Sequence, residues 1–151
     1  MYNGKIVVYT SGTFDMFHSN HLKMIEYARN LGDTLIVGVS TDELVTSYKN
    51  LPIIPFEERI AIIKALKYPD IVIPQRSLDH TDIVKKLNID VFVVGDDWFG
   101  KYDYLRELGV TVFYFPRGGG NSTTGIKKTI LDRYKDTIRQ IDHQPNPDVV
   151  K

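Results

Sequence analysis

No cysteine occurs anywhere in the 151 residues. That excludes disulfides, thiolate metal centres and a cysteine nucleophile, and it fits a reducing compartment. Neither charge is in excess, since 19 Lys and Arg balance 19 Asp and Glu. A chain of zero net charge has no overall electrostatic drive toward nucleic acid, so any anionic ligand must be held by local clusters of cations. There is no long apolar run and no positively charged segment leading into one. The sequence therefore predicts neither a signal peptide nor a membrane span. Two nucleotide fingerprints are also missing. No G-x-G-x-x-G follows the first apolar run, which argues against a dinucleotide-dependent oxidoreductase, and no Gly-Lys-Ser/Thr completes a Walker loop. Internal repeats and domain linkers are absent too.

What is present reads as one soluble globular domain, with 42% hydrophobic and 25% charged residues. Five β-rich apolar runs stand out: Ile6 to Tyr9, Thr34 to Ser40, Ile71 to Ile73, Val91 to Val94 and Val110 to Phe115. Most are continuous rather than alternating, as suits strands covered on both faces. Helix patterns lie between them. His21 to Leu31 carries Leu22, Ile25, Ala28 and Leu31 at helical spacing, with Gly32 as the expected C-terminal cap. Phe56 to Leu66 follows Pro55 and has Glu57 and Glu58 in its first turn, where carboxylates offset the helix dipole. Thr81 to Leu87, Tyr102 to Leu108 and Ser122 to about Ile141 complete the set, the last capped by Asn121 or Ser122. Gly125 weakens its first turn by up to ~1 kcal/mol.

Strand–helix alternation of this kind predicts an α/β fold: a single-domain, doubly wound, Rossmann-like parallel sheet of five strands with helices on both faces. The domain is expected over residues 1–141. Residues 142–151, with two prolines and few apolar groups, read as a disordered tail. Ligands of such sheets bind at the C-terminal ends of the strands, which directs attention to 10–21, 40–49, 95–98 and 117–124.

The first of these segments contains Gly12-Thr13-Phe14-Asp15 and then His18 and His21, three apart at a helix start. Gly12 permits a tight turn and close approach of a ligand; the two rings can face one ligand; helix amides add positive potential. A transition-metal pair is the other chemical reading, although no third ligand has a recognisable spacing. A histidine that only caps the helix is the bland one. In the last segment, Arg117 and three glycines lead through Asn121 into Ser122, Thr123 and Thr124. Amides, hydroxyls and an Arg there suit anionic oxygens, or simply make a loop before a capped helix. Gly95-Asp96-Asp97-Trp98 offers paired acids for acid–base work, a metal, or the amino group of a base; it also suits a plain turn.

Taken together and in this order, these residues resemble the cytidylyltransferases of the nucleotidyltransferase superfamily. The match runs through Gly12 to Asp15, His18 and His21, Ser40 to Glu43, Glu58-Arg59, Asp90 to Trp98, Pro116-Arg117 and Ser122 to Thr124. The resemblance implies direct attack by an acceptor phosphate oxygen on the α-phosphorus of CTP, with release of pyrophosphate. The acceptor it implies is a small phosphorylated alcohol, best sn-glycerol 3-phosphate, giving CDP-glycerol. It assigns catalysis to His18, His21, Lys49 and Arg117. It assigns the nucleotide to Gly12, Thr13, Phe14, Asp15, His18, His21, Gly95, Asp96, Asp97, Arg117, Asn121, Ser122, Thr123 and Thr124. It assigns the acceptor to Asp42, Lys49, Arg59 and Lys67. Mg²⁺ is expected to arrive with the CTP phosphates rather than on protein ligands. A cytoplasmic homodimer without nucleic-acid or membrane partners is implied as well. The chain departs from the family pattern at Asn20, where the family has Gly between the histidines. One of the family's two loop lysines is replaced by Asn50 or Leu51, a lysine before the helix preceding the fourth strand is absent with Arg76 and His80 the nearest basic residues, and Lys67 stands for an arginine ahead of the third strand. An ATP-dependent adenylyltransferase of the same superfamily, or a nucleotide binder with weak catalysis, are the alternatives.

Overall fold

A computed structural model describes residues 3–116, 118 and 122–142. Five strands form the sheet: β1 (Val7–Gly12), β2 (Thr34–Ser40), β3 (Ile71–Gln75), β4 (Val91–Gly95) and β5 (Thr111–Phe115). Their order is β3-β2-β1-β4-β5 and all neighbours are parallel. The connecting helices are α1 (Ser19–Arg29), α2 (Asp42–Thr46), α3 (Phe56–Ala65), α4 (Thr81–Leu87) and α5 (Thr123–Asp142). Two 3-10 segments, Asp96–Trp98 and Asp103–Leu108, lie between β4 and β5.

The continuous apolar runs are explained by the two cores. Alternate side chains of β1 point to opposite faces, as strand geometry requires. Val8 joins Leu35, Val37 and Val93 beneath Ile25 and Ala28 of α1 and Ile63 of α3. Tyr9 joins Ile36 and Phe92 beneath Val84 of α4 and Leu105 of the second 3-10 segment. The expected fold is thus the observed one: an all-parallel five-stranded sheet with helices on both faces. Each fully buried Val, Leu or Ile in these cores contributes ~1.5–3 kcal/mol.

Several local expectations change. α1 stops at a cap on Asn30, not at Gly32. Gly32 is needed for another reason: a Cβ there would come within 2.7 Å of Val8 Cγ2 and 2.9 Å of the Ile6 carbonyl oxygen. β3 runs on through Pro74 to Gln75, which an edge strand tolerates because one side of its backbone has no ladder to satisfy. Tyr102 to Leu108 forms a 3-10 segment over Asp103–Leu108. α2 was not expected; Thr41 caps it by accepting the Leu44 N–H. At α5 the cap is Ser122, whose Oγ accepts the Gly125 N–H at 2.9 Å. The tail from His143 onward lies outside the described residues.

Candidate active site

The strand order reverses between β1 and β4, and the C-terminal ends of the strands open there onto one cleft of about 510 Å³. The loop after β1 enters it in an uncommon conformation. Phe14 and Met16 hold φ values of +55° and +47°, a region few non-glycine residues visit. Phe14 is buried, and its ring edges against His21 at 5.5 Å. Gly12 leaves room for that ring: a Cβ on it would crowd Phe14 Cζ at 3.1 Å. The close approach expected of a ligand is made in the first instance by Phe14.

His18 is the N-cap of α1 and His21 sits one turn in. The two imidazoles stack at 3.7 Å with 25° between planes. His18 Nδ1 accepts the Asn20 backbone N–H at 3.3 Å, and His21 Nδ1 accepts the His18 N–H at 3.4 Å. An Nδ1 that accepts carries no proton, so these contacts assign the hydrogen of each neutral ring to Nε2. The capping bonds and a place in the cleft wall therefore fall on the same pair. Nδ1 serves the helix, while both residues line the cleft.

The start of α5 meets this pair from the far end of the chain. Thr123 Oγ1 donates to the Asp15 carbonyl oxygen at 2.8 Å. Ser122, Thr123 and Thr124 line the same cleft as His18 and His21. Asp15, itself buried, accepts the Ile53 and Ile54 N–H groups at 2.8 and 2.9 Å and faces Lys127 Nζ at 3.6 Å. One carboxylate thus ties the β1–α1 loop to the α2–α3 loop and to α5. Gly12, Thr13, Gly95, Asp96 and Asp97 complete this wall. Arg117 and Asn121 lie outside the described residues.

Of the residues expected for the acceptor, Lys49 lines the cleft. Removal from water, and next the neighbouring Lys127 ammonium, lower its pKa. Two cations that discourage each other's charge are a place where a polyanion binds favourably. The other three do not line it. Arg59 is 1% exposed and bonds Ile54 O, Thr13 O, Ser40 O and Asp42 Oδ1 at 2.7–2.8 Å. Four of its five N–H donors are thus committed to joining β1, β2, α2 and the loop before α3, and Asp42 is its counter-ion. Lys67 precedes the N-terminal end of β3, the opposite edge of the sheet from the cleft, with its ammonium 5.2 Å from the Tyr68 ring.

Sequence reasoning missed Lys127, Tyr48, Gln75, Leu78 and Tyr102, all of which line the cleft. Lys127 had a signal: it stands four residues after Thr123 on one helix, hence on the same face. Gln75 had another, a polar residue at the C-terminal end of a strand. Asn20 also lines the cleft, so its side chain stands where the family glycine has none.

The sequence and the fold are similar to those of known proteins. A cytidylyltransferase-like family model matches residues 9–114. Glycerol-3-phosphate cytidylyltransferase of Bacillus spizizenii is 45% identical over 122 residues, covering 80% of this chain and 94% of its own. The Bacillus subtilis protein of that name is 44% identical over 125 residues, covering 82% and 95%. The crystal structure of a lipopolysaccharide core biosynthesis protein from Thermoplasma volcanium superposes with a TM-score of 0.64 at 27% identity, covering 78% of this chain and all of that one. The chain belongs to the cytidylyltransferase-like family.

Proposed function

We propose that the protein transfers CMP from CTP to sn-glycerol 3-phosphate and releases pyrophosphate, forming CDP-glycerol. The observation that carries this reading is the convergence on one cleft of His18 and His21 with Ser122, Thr123 and Thr124, residues some hundred positions apart. The names of the Bacillus relatives support the choice of acceptor.

In the proposed reaction an acceptor phosphate oxygen, already anionic, attacks the α-phosphorus of CTP. The bond from that phosphorus to the bridging oxygen breaks, and pyrophosphate leaves with the electron pair. No proton has to move from the nucleophile, so the protein's task is orientation and charge stabilisation. The Nε2–H groups of His18 and His21 would donate to α- and β-phosphate oxygens as charge builds there. Lys127, Lys49 and the hydroxyl-rich start of α5 would hold the leaving pyrophosphate. Gly95 to Asp97 would receive the cytosine, whose amino group needs an acceptor. Mg²⁺ belongs to the phosphates in this reading, as a hard cation seeking oxygen. Among the described residues no group of three His, Cys, Asp or Glu is gathered for a metal. A cytoplasmic homodimer goes with the same reading, supported by the resemblance. Among the described residues, no helix is long and apolar enough to cross a membrane. The test is pyrophosphate release with CTP and with ATP, each against a panel of phosphorylated alcohols. Release with CTP and glycerol 3-phosphate is expected; preference for ATP would contradict the reading.

A further inference from the structure

The cleft differs in chemistry from one side to the other. Over β1 and the start of α5 it carries imidazoles, hydroxyls and ammonium groups. Over β2 and β3 its floor is Ser40 and Gln75, partners in register at the ends of those strands. Tyr48, Leu78, Trp98 and Tyr102 line the cleft as well, the last two from the segment after β4. Tyr48 and Trp98 meet edge to face at 5.7 Å, and Trp98 and Tyr102 lie 5.6 Å apart.

Ser40 and Gln75 are 2% and 6% exposed, so their hydrogen bonds are worth accounting for in full. Ser40 Oγ lies 2.7 Å from Gln75 Oε1, and Gln75 Nε2 donates to the Ser77 carbonyl oxygen at 3.1 Å. A carbonyl can only accept, so Ser77 fixes which end of the amide is nitrogen. Gln75 Oε1 then faces Ser40, and the Ser40 hydroxyl must be the donor. Ser40 is left with a lone pair to offer, and Gln75 with its second N–H. A lone pair and an N–H side by side, with no charge, match a hydroxyl, which both donates and accepts. They mismatch a phosphate or carboxylate, which only accepts and calls for cations.

We infer that Ser40 and Gln75 select the acceptor by a hydroxyl on its carbon chain. This rests on the transferase reading above. The acceptor's phosphate lies toward the histidines and lysines, its chain passes between the aromatic side chains, and its hydroxyl reaches the neutral pair on the floor. Neither residue touches the reacting phosphates, so their loss acts on acceptor choice and not on CTP.

The experiment measures pyrophosphate release with CTP and two acceptors: glycerol 3-phosphate and propyl phosphate, the same chain without hydroxyls. The wild type is expected to prefer glycerol 3-phosphate by about a hundredfold or more in kcat/KM, because propyl phosphate leaves buried polar groups unmatched. Gln75→Leu and, separately, Ser40→Ala are expected to lower kcat/KM for glycerol 3-phosphate by about tenfold, chiefly through KM. Their kcat/KM for propyl phosphate and their calorimetric affinity for CTP should stay within about twofold of wild type. Should Gln75→Leu lose CTP binding, Ser40→Ala, which removes a single atom, carries the comparison. Equal losses for both acceptors, unchanged glycerol 3-phosphate kinetics in the variants, or a wild type indifferent to the hydroxyls overturn the inference alone. A wild type that binds CTP but releases pyrophosphate with no phosphorylated alcohol overturns the transferase reading, and this inference with it.

Discussion

Two histidine sites in this molecule begin in the same way and end differently. His18 and His80 each stand at the N-cap of a helix that follows a strand end. His18 uses Nδ1 for the cap, stacks on His21 and lines the cleft. His80 makes no side-chain cap bond and is 1% exposed, packed among Phe92, Tyr102 and Tyr9 at 4.7, 4.9 and 5.6 Å. Its Nε2 is buried without a hydrogen-bond partner among the described residues. Burial pushes its pKa down to about 4, and the nearby Asp79 offsets this only in part. Position on a helix therefore does not decide what a histidine does. The surroundings do: the first ring is stacked on His21 in the wall of the cleft, and the second is an aromatic core residue.

A parallel contrast separates the charged groups. Arg59 and Asp42 are joined to each other, Arg59 also to three backbone carbonyls and Asp42 to the Phe56 N–H, and neither lines the cleft. Lys127 and Asp15 meet more loosely at 3.6 Å, and both line it. The first pair stands away from the cleft; in the second, Asp15 also ties two loops together through the Ile53 and Ile54 N–H groups, while Lys127 is held, among the described residues, only by the long ion pair.

The sharpest way to break this contrast is Arg59→Met. Removing a buried cation strands Asp42 and three carbonyl oxygens, and the expected loss is ~3–5 kcal/mol of stability by urea denaturation. A variant of normal stability that binds acceptor poorly would move Arg59 to the ligand side. Next come His18→Ala and His21→Ala. Each is expected to lower turnover about a hundredfold, ~3 kcal/mol, while the stability measured by urea denaturation falls by ~1 kcal/mol or less. Near-normal pyrophosphate release in both would remove them from the mechanism.

His80 then sharpens the comparison by pH. Its folded pKa lies below the ordinary 6.5, so folding favours the neutral ring. That contribution is complete above pH 6.5 and is lost as the pH falls toward 4, by up to ~3 kcal/mol. Urea denaturation between pH 7 and 4 should show the decline, and His80→Leu should flatten it. An equal slope in the variant would place the acid sensitivity elsewhere. The smallest effect is expected for Lys127→Gln: about tenfold in kcat/KM for CTP and under ~0.5 kcal/mol in stability, since its ion pair is long and partly exposed.

Much of this was readable in the sequence, and the exceptions share a cause. The continuous apolar runs Thr34 to Ser40 and Val91 to Val94 gave the buried strands, because burial on both faces leaves no polar alternation. His18, His21 and the Ser122 to Thr124 run gave the cleft, because strand ends and helix starts are where a parallel sheet binds. What sequence could not supply was which side of an element a polar group takes. Arg59 has the residue type of a ligand contact and is buried under four bonds. Lys127 and Gln75 look like ordinary surface and strand-end residues until the sheet order brings them to one opening. The short helix α2 carries too few residues for periodicity to register, and its local signs were the Thr41 cap and the acidic first turn of Asp42 and Glu43.

The most direct measurement follows the imidazole resonances of labelled protein by NMR as CTP with Mg²⁺ is added. The account predicts saturable shifts for His18 and His21 and an unmoved, neutral His80. A titration in which CTP binds and the paired rings stay unperturbed would contradict it.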